Sequence, residues 1–367
     1  MKSLNSRAAT IISTLQDYLH QRGFRALIHF ELEGCYQKPI DKHVDYQQVN
    51  QKLSTLGIDG EVVAEYWSNQ WEYVSLFKGQ SPLKEADNLN RAINLLPKLF
   101  ATQGVTQTLI KPVVWAGDYG SLASGCDNVF SHDSRAVHIP NAVQINVSVA
   151  DLKGKNLLVS GDFAERLQQS LLQTSLACCL IYLPEEEAFE RLTLKSKYGL
   201  AAELCSPVDI SGGHQGSIAL YRDIGKHNQK MGVEPLLYDS KNNVIVSQDN
   251  WHKTARIEHR LGASSQHYNP YLNVIYTLLN VIATIDGLKN DDLTSNNNYG
   301  QLPRSLDDTG NQVGAITLFA NNDWFSRSLD RALSASNVQW ESTTALSIGQ
   351  QLQQDYLKQF QRPSLII

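Results

Sequence analysis

The segment around Glu31-Leu32-Glu33 constrains the fold of this chain more than any other feature. Mostly apolar residues precede it from Ala26 to Phe30 and follow it at Cys35-Tyr36. Side chains at positions i and i+2 of a β-strand share one face, so Glu31 and Glu33 are expected to lie together on one side of a sheet. Their charges repel, so that side needs water or a cation. A solvated sheet face and a divalent-cation site are the two interpretations.

Further acidic residues favour the cation site. Glu65 and Glu72 are seven positions apart, with a predicted turn at Ser68-Asn69 between them. An odd spacing on a straight strand places two side chains on opposite faces, so their convergence requires the turn or a bulge. Far downstream, Glu258 is followed two residues later by Arg260. We expect four converging glutamates with one nearby arginine, which is an excess of negative charge typical of a metal site.

The remaining pattern predicts an α+β protein. Apolar stripes with helical spacing indicate core-packing helices, and they run Ile11-Leu15-Tyr18-Leu19, Leu89-Ile93-Leu96-Phe100, Leu172-Leu176-Cys179-Leu183 and Pro270 to Ile285. Gly23, Gly104 and Gly287 predict helix ends, Pro97 a kink, and Asn269 the N-cap of the last helix. The polar segment 289–300 predicts a loop.

The order of these motifs resembles the catalytic domain of glutamine synthetase. The matching segments are Glu31-x-Glu33, Ala64-Glu65 to Tyr73, Ala86-Asp87-Asn88 leading to Lys111-Pro112, Arg256 to Arg260, Asn269 to Leu272, Leu302 to Leu306, and a helix near Asp323 to Leu333. The resemblance covers roughly residues 8–335. It implies a curved antiparallel β-sheet with flanking helices and a single domain over residues 1–367, with an insertion at about 119–140 and a helical C-terminal part at about 300–367.

The resemblance also implies an ATP- and Mg²⁺-dependent carboxylate–amine ligase. In that family a glutamate carboxylate attacks the terminal phosphate of ATP, and an amine then displaces phosphate from the acyl phosphate. Carried over by position, one Mg²⁺ or Mn²⁺ is held by Glu33, Glu65 and Glu72, and a second by Glu31, Gln144 and Glu258. The expected catalytic residues are Glu258 and Arg260, with Arg260 steadying the transferring phosphoryl group.

The second metal site departs from the family pattern. Gln144 stands where a metal-binding histidine is expected, and an amide oxygen is a weaker, uncharged ligand. His132, Arg135 or His138 of the insertion is a candidate replacement, although a surface loop is the simpler interpretation.

The phosphate-binding segment departs as well. Residues 217–221 resemble the frame of the family's arginine-rich segment without its arginine, and Arg222, Lys226 and Lys230 lie nearby. The glycine-rich stretch 211–216 predicts either a turn between strands or a loop that contacts phosphate.

The family's preceding β-grasp domain, which completes a neighbouring subunit's active site, is not found in this sequence. We therefore expect a homo-oligomer smaller than a decamer, most simply a dimer. We also expect negligible glutamine formation from free ammonia, with γ-glutamyl transfer to another amine. Two alternatives remain: a non-catalytic protein that binds a ligand or regulatory partner, and an ATP-dependent activity on a guanidino or thiol substrate.

Composition excludes several other classes. The net charge is −5 with no block of Lys and Arg, which argues against nucleic-acid binding. No apolar run approaches the ~18 to 20 residues that cross a bilayer. The five cysteines form no paired Cys-x-x-Cys motif, and residues 1–6 contain no hydrophobic signal region. We expect a cytoplasmic protein of nitrogen metabolism whose partners are glutamate or a related acid, an amine and ATP.

Overall fold

The computed structural model describes residues 3–39, 43–65, 69–76, 79–116, 137–198, 204, 217–222, 237–238, 244–246, 255–287, 300–336, 338, 340 and 345–361. The helices in these ranges are α1 (Leu4–Gln21), α2 (Tyr46–Thr55), α3 (Pro82–Ala101), α4 (Phe163–Ser175), α5 (Cys179–Tyr182), α6 (Glu187–Tyr198), α7 (Pro270–Ile285), α8 (Ala315–Asn321), α9 (Trp324–Ala335) and α10 (Ile348–Leu357). The strands are β1 (Phe24–Gln37), β2 (Gly60–Ala64), β3 (Gln70–Ser75), β4 (Gln107–Leu109), β5 (Val113–Ala116), β6 (Val137–Pro140), β7 (Val143–Asp151), β8 (Ile218–Tyr221), β9 (Leu237–Tyr238), β10 (Val244–Val246) and β11 (Arg256–His259).

A seven-stranded sheet forms the centre of the protein. Its order is β2-β3-β1-β7-β11-β8, with β4 paired to one end of β1. Its strand pairs are antiparallel. Two small antiparallel sheets, β5 with β6 and β9 with β10, lie outside it. The predicted α+β class, with an antiparallel sheet and flanking helices, is confirmed.

The two faces of β1 carry different chemistry, as its alternating sequence requires. Ile28, Phe30 and Leu32 are fully buried and point into the hydrophobic core, which α1, α3 and α7 cover. Glu31 and Glu33 point to the other face and are also buried, at 8% and 9% exposure. The polar face is therefore enclosed, and the solvated-face interpretation is wrong.

The helix ends follow the predicted signals. Helix α7 begins at Pro270, where the Asn269 side chain accepts a hydrogen bond from Leu272 N at 3.1 Å. It ends just before Gly287, which has a φ of 65°. Helix α1 likewise ends before Gly23, with a φ of 88°. Such left-handed positions favour glycine.

One predicted helix is divided in two. The apolar spacing from Leu172 to Leu183 predicts a continuous helix, but α4 ends at Ser175 and α5 begins at Cys179. The Ser175 carbonyl accepts a hydrogen bond from Tyr182 Oη at 2.7 Å. This bond satisfies a carbonyl that the broken helix leaves without its i+4 amide partner.

Helices α8, α9 and α10 lie in the described C-terminal residues. Helix α9 follows Asp323 at its N-cap position and packs against α10, α7 and α1. The predicted loop at 289–300 lies outside the described residues except for Gly300. The end of the predicted insertion forms β6, which pairs with β5 and is therefore a strand rather than a loop. Within the described ranges, none of the helices combines the length and apolar character needed to cross a membrane.

Candidate active site

The strand registers place the predicted acidic residues on one face of the sheet. Glu33 of β1 lies opposite Glu72 of β3, and Glu31 lies opposite Gln144 of β7. Two residues further along β7, Asn146 lies opposite Glu258 of β11. Residues in register across antiparallel strands point to the same side, so these side chains share the polar face.

Three of the carboxylates form a first cluster. Glu33, Glu65 and Glu72 each contribute an oxygen, and these oxygens lie within 4.8 Å of one another. Glu65 reaches the cluster because its backbone N donates to Gln70 O at 3.1 Å, which closes the β2–β3 hairpin. The convergence of Glu65 and Glu72 therefore comes from the antiparallel pairing of β2 with β3.

The chemistry of this first cluster suits a divalent cation. Glu72 is 8% exposed, so water screens the mutual repulsion of the carboxylates poorly. Ala142 N donates to Glu33 Oε2 at 2.8 Å. This backbone donor engages Oε2 of Glu33 and not its Oε1. Several hard oxygen donors at this spacing match the preference of Mg²⁺ and Mn²⁺. The donor set fits the ion that the sequence predicts.

The second cluster surrounds Glu258, which is 1% exposed. Arg260 Nε lies 3.2 Å from Glu258 Oε1, and an Arg256 terminal nitrogen lies 3.3 Å from Oε2. Arg256 Nε also donates to Asn146 Oδ1 at 2.6 Å, and Asn146 Nδ2 donates to Glu31 Oε1 at 3.2 Å. The expectation of one arginine beside the acids is wrong, because a four-residue spacing on a strand brings Arg256 and Arg260 to the same face.

Two histidines near the site have pKa values that keep them neutral. His259 lies on the opposite face of β11, with its ring centroid 4.7 Å from that of Tyr182 and its Nε2 3.2 Å from Ser175 Oγ. Burial lowers the pKa of His259 to about 3. His29 shares the polar face, and burial, with a smaller effect of Arg256, lowers the pKa of His29 to about 3.

A buried arginine supports the site from behind. Arg191 of α6 donates to Leu261 O at 3.1 Å and to Arg260 O at 3.2 Å. Burial lowers the pKa of Arg191 to about 10, while Glu33 opposes that shift, so the guanidinium stays charged at neutral pH. Further along the same segment, Ser264 Oγ donates to Glu33 O at 2.6 Å. The segment after β11 thereby ties Arg260 to Glu33.

Some predicted residues do not join these clusters. An Arg222 terminal nitrogen lies 2.7 Å from Glu165 Oε1 of α4, so Arg222 has a carboxylate partner outside the clusters. His132, Arg135, Lys226, Lys230 and the stretch 211–216 lie outside the described residues, as does the side chain of His138.

Sequence reasoning missed four contributors to the site. Strand periodicity was sufficient to find three of them, since His29, Asn146 and Arg256 each stand two residues from a predicted site residue. Arg191 gave no such signal, because its role comes from a helix that packs behind β11.

Comparison with known proteins identifies the fold. No family model matches the sequence, and no curated protein matches it. A solved structure described as a novel glutamine synthase homolog is similar with a TM-score of 0.58 and 14% identity, covering 96% of this chain and 71% of that one. Structures of GmaS without ligand and of a GmaS/ADP complex each have a TM-score of 0.54 and 12% identity, covering 97% of this chain and 75% of theirs. At these identities the likeness shows the fold, which is that of a glutamine synthetase-like catalytic domain.

Proposed function

We propose that this protein is an ATP- and divalent-cation-dependent ligase that joins glutamate, or a related acid, to an amine. The observation that carries the proposal is the carboxylate cluster of Glu33, Glu65 and Glu72 beside the Glu258–Arg260 ion pair in a glutamine synthetase-like fold. Glu33, Glu72 and Glu258 lie on one buried sheet face, and the half-buried Glu65 follows β2. A similar solved structure is a complex of GmaS with ADP, which supports a nucleotide as co-substrate.

The proposed reaction has two steps. A carboxylate oxygen of the acid attacks the terminal phosphorus of ATP, and the bond to ADP breaks to give an acyl phosphate. The amine nitrogen then attacks the acyl carbon, and the bond to phosphate breaks, yielding an amide, inorganic phosphate and a proton. Because phosphoryl transfer depends mainly on positioning and charge stabilisation, the site must supply fixed positive charge rather than a nucleophile.

In this proposal, one set of residues holds the cation and another stabilises the charge of the phosphoryl group. Glu33, Glu65 and Glu72 would hold Mg²⁺ or Mn²⁺, which when bound neutralises phosphate charge. Arg260 is held by Glu258 at its side chain and by Arg191 at its carbonyl, so its guanidinium is oriented before substrate arrives. A charge fixed in advance needs little reorganisation during the reaction, which is the condition for electrostatic catalysis.

The first test is phosphate release from ATP in the presence of Mg²⁺ and glutamate. The panel of acceptors contains ammonia, methylamine, longer primary amines and diamines. We expect release with an amine other than ammonia, and strong loss of release in Glu258→Gln. Robust glutamine formation from ammonia, abolished by Glu258→Gln, would overturn the proposed choice of amine.

The second test concerns the cation. Glu72→Gln removes one charge at nearly constant shape, and we expect Mn²⁺ binding to weaken about tenfold or more, which is about 1.4 kcal/mol. Glu190→Gln, at an exposed position of α6, is the matched control. Equal Mn²⁺ affinity in the wild type and Glu72→Gln would contradict the assignment.

A non-catalytic role in ligand binding is the second candidate. It is favoured by one observation, the amide of Gln144 beside Glu31 and Glu258, because an amide is a weak cation ligand. ATP binding without phosphate release for any acid and amine would support it.

Assembly as a homo-oligomer smaller than a decamer stays a prediction, which light scattering tests.

A further inference from the structure

The second cluster is neutralised by the protein's own side chains. Its two carboxylates, Glu31 and Glu258, lie with two guanidinium groups, those of Arg256 and Arg260, so the formal charges of these four described side chains cancel. Arg256 is further held in place over the Tyr221 ring, 4.5 Å from its centroid. The first cluster is different, since it brings three carboxylates together.

The orientation of the Gln144 amide decides what the remaining oxygens contact. With its nitrogen directed at the second cluster, the amide donates to Glu31 Oε2 at 3.2 Å and also to Glu258 Oε1. With its oxygen there, three acceptors would face one another. A side-chain amide turns readily between these orientations, and the first gives its nitrogen two complementary partners.

In that orientation every carboxylate oxygen of the second cluster has a protein donor. Asn146 donates a hydrogen bond to Oε1 of Glu31, and Gln144 donates one to Oε2. Arg256 donates to Oε2 of Glu258. Gln144 donates to Oε1 of Glu258, which also lies 3.2 Å from Arg260 Nε in an ion pair. A cation entering here would have to displace these donors and approach two guanidinium charges, which is unfavourable in a buried site. The second metal site implied by the family resemblance does not fit these residues.

The other end of the same amide faces the first cluster. When the nitrogen contacts Glu31 and Glu258, the amide oxygen occupies the position 3.5 Å from Glu33 Oε1. Two oxygens at this separation repel each other weakly in the absence of a cation, and both can bind the same divalent cation. Gln144 is 8% exposed, so its oxygen is enclosed with the carboxylate that it faces.

We propose that this protein binds a single divalent cation per chain, through Glu33, Glu65, Glu72 and the Gln144 amide oxygen, and that a hydrogen-bonded ion-pair network replaces the second cation. This inference deepens the proposed function and rests on it for the identity of the site. Gln144 acts as a bridge, since its nitrogen completes the network and its oxygen completes the cation site.

The test is the stoichiometry of Mn²⁺ binding without nucleotide, measured by isothermal titration on the full chain, with electron paramagnetic resonance as a second readout. The matched variants are Glu72→Gln and Glu31→Gln, which make the same chemical change in neighbouring clusters. We expect one Mn²⁺ per chain in the wild type and in Glu31→Gln, and binding weakened about tenfold or more in Glu72→Gln. The resonance spectrum should show no spin coupling between neighbouring ions.

A third variant tests the role of the amide oxygen. Gln144→Leu keeps the size of the side chain and removes both ends of the bridge, so Mn²⁺ affinity should fall about tenfold. Gln144→Glu restores an oxygen ligand and should retain binding. Equal affinity in the wild type and Gln144→Leu would overturn the bridging role.

The possible outcomes separate this inference from the proposed function. Two ions in the wild type, reduced to one in Glu31→Gln, would overturn the inference and leave the ligase proposal intact. One ion without phosphate release for any acid and amine would support the inference and refute the ligase. The absence of Mn²⁺ binding would overturn both the inference and the cation requirement of the ligase.

Discussion

Glu85 provides a pH-dependent test of the structure behind the site. It lies in the first turn of α3 and is fully buried. Its Oε2 accepts a hydrogen bond from Ser75 of β3, and its Oε1 accepts one from Asn88 Nδ2 at 3.3 Å. Ser75 Oγ in turn accepts from Phe30 N at 3.0 Å, next to Glu31 on β1. Glu85 therefore links α3 to the two strands that carry the first cluster.

Burial raises the pKa of Glu85 from 4.5 to about 7, although Ser75 and Asn88 oppose the change. For an acid whose folded pKa is raised, the unfolded chain releases its proton first. Stability then falls as pH rises from 4.5 to about 7, and the full loss is present above pH 7. At about 1.4 kcal/mol for each pH unit between the two values, the loss is about 3 kcal/mol.

Glu85→Gln keeps the shape of the side chain and replaces the titrating carboxyl group by an amide that does not titrate. We expect the free energy of unfolding of the variant, relative to the wild type, to increase by about 2 to 3 kcal/mol between pH 5 and pH 8. Urea unfolding followed by circular dichroism at several pH values measures this difference. In Ser75→Ala the hydroxyl that lowers the pKa of Glu85 is gone, so the fall in stability should extend to higher pH. Parallel pH curves for the wild type and Glu85→Gln would refute the argument.

Two further substitutions test other parts of the scaffold. Arg191→Met leaves the carbonyls of Arg260 and Leu261 without their charged donor, so unfolding should become easier by roughly 2 to 4 kcal/mol and phosphate release should fall, with Arg191→Lys intermediate in both measurements. Asn269→Ala removes the cap on Leu272 N and the bond from Nδ2 to Asn5 Oδ1, and should cost about 1 to 2 kcal/mol in urea unfolding, whereas Asn269→Ser should recover part of the loss. A stability equal to that of the wild type would contradict the corresponding assignment.

Much of the fold follows from local sequence signals, because those signals act within single elements. The period of two around Glu31 and Glu33 predicts a strand with one polar face, and the structure confirms it in β1. Asn269-Pro270 and Gly287 predict both ends of α7, since caps and left-handed glycines depend on nearby backbone atoms. The break between α4 and α5 was not predictable in this way, because apolar spacing stays helical across it.

The candidate site was predictable only in part, because its charge balance depends on register between distant strands. Periodicity brings Glu31 and Glu33 to one face, but only the pairing of β7 with β1 and β11 shows that Asn146 connects Glu31 to Arg256. The same applies to Arg191, whose contacts with the carbonyls after β11 come from a helix far away in sequence.

Gln144 lies between two clusters of carboxylates that differ in their surroundings. An amide carries a donor and an acceptor on one carbon, and in register with Glu31 it lies between the two clusters. In the proposed arrangement the donor end of the amide contacts Glu31 and Glu258, which lie beside Arg256 and Arg260, and the acceptor end faces Glu33. The two clusters therefore differ in chemistry although they share one face of the sheet, which is why a single cation is expected rather than two.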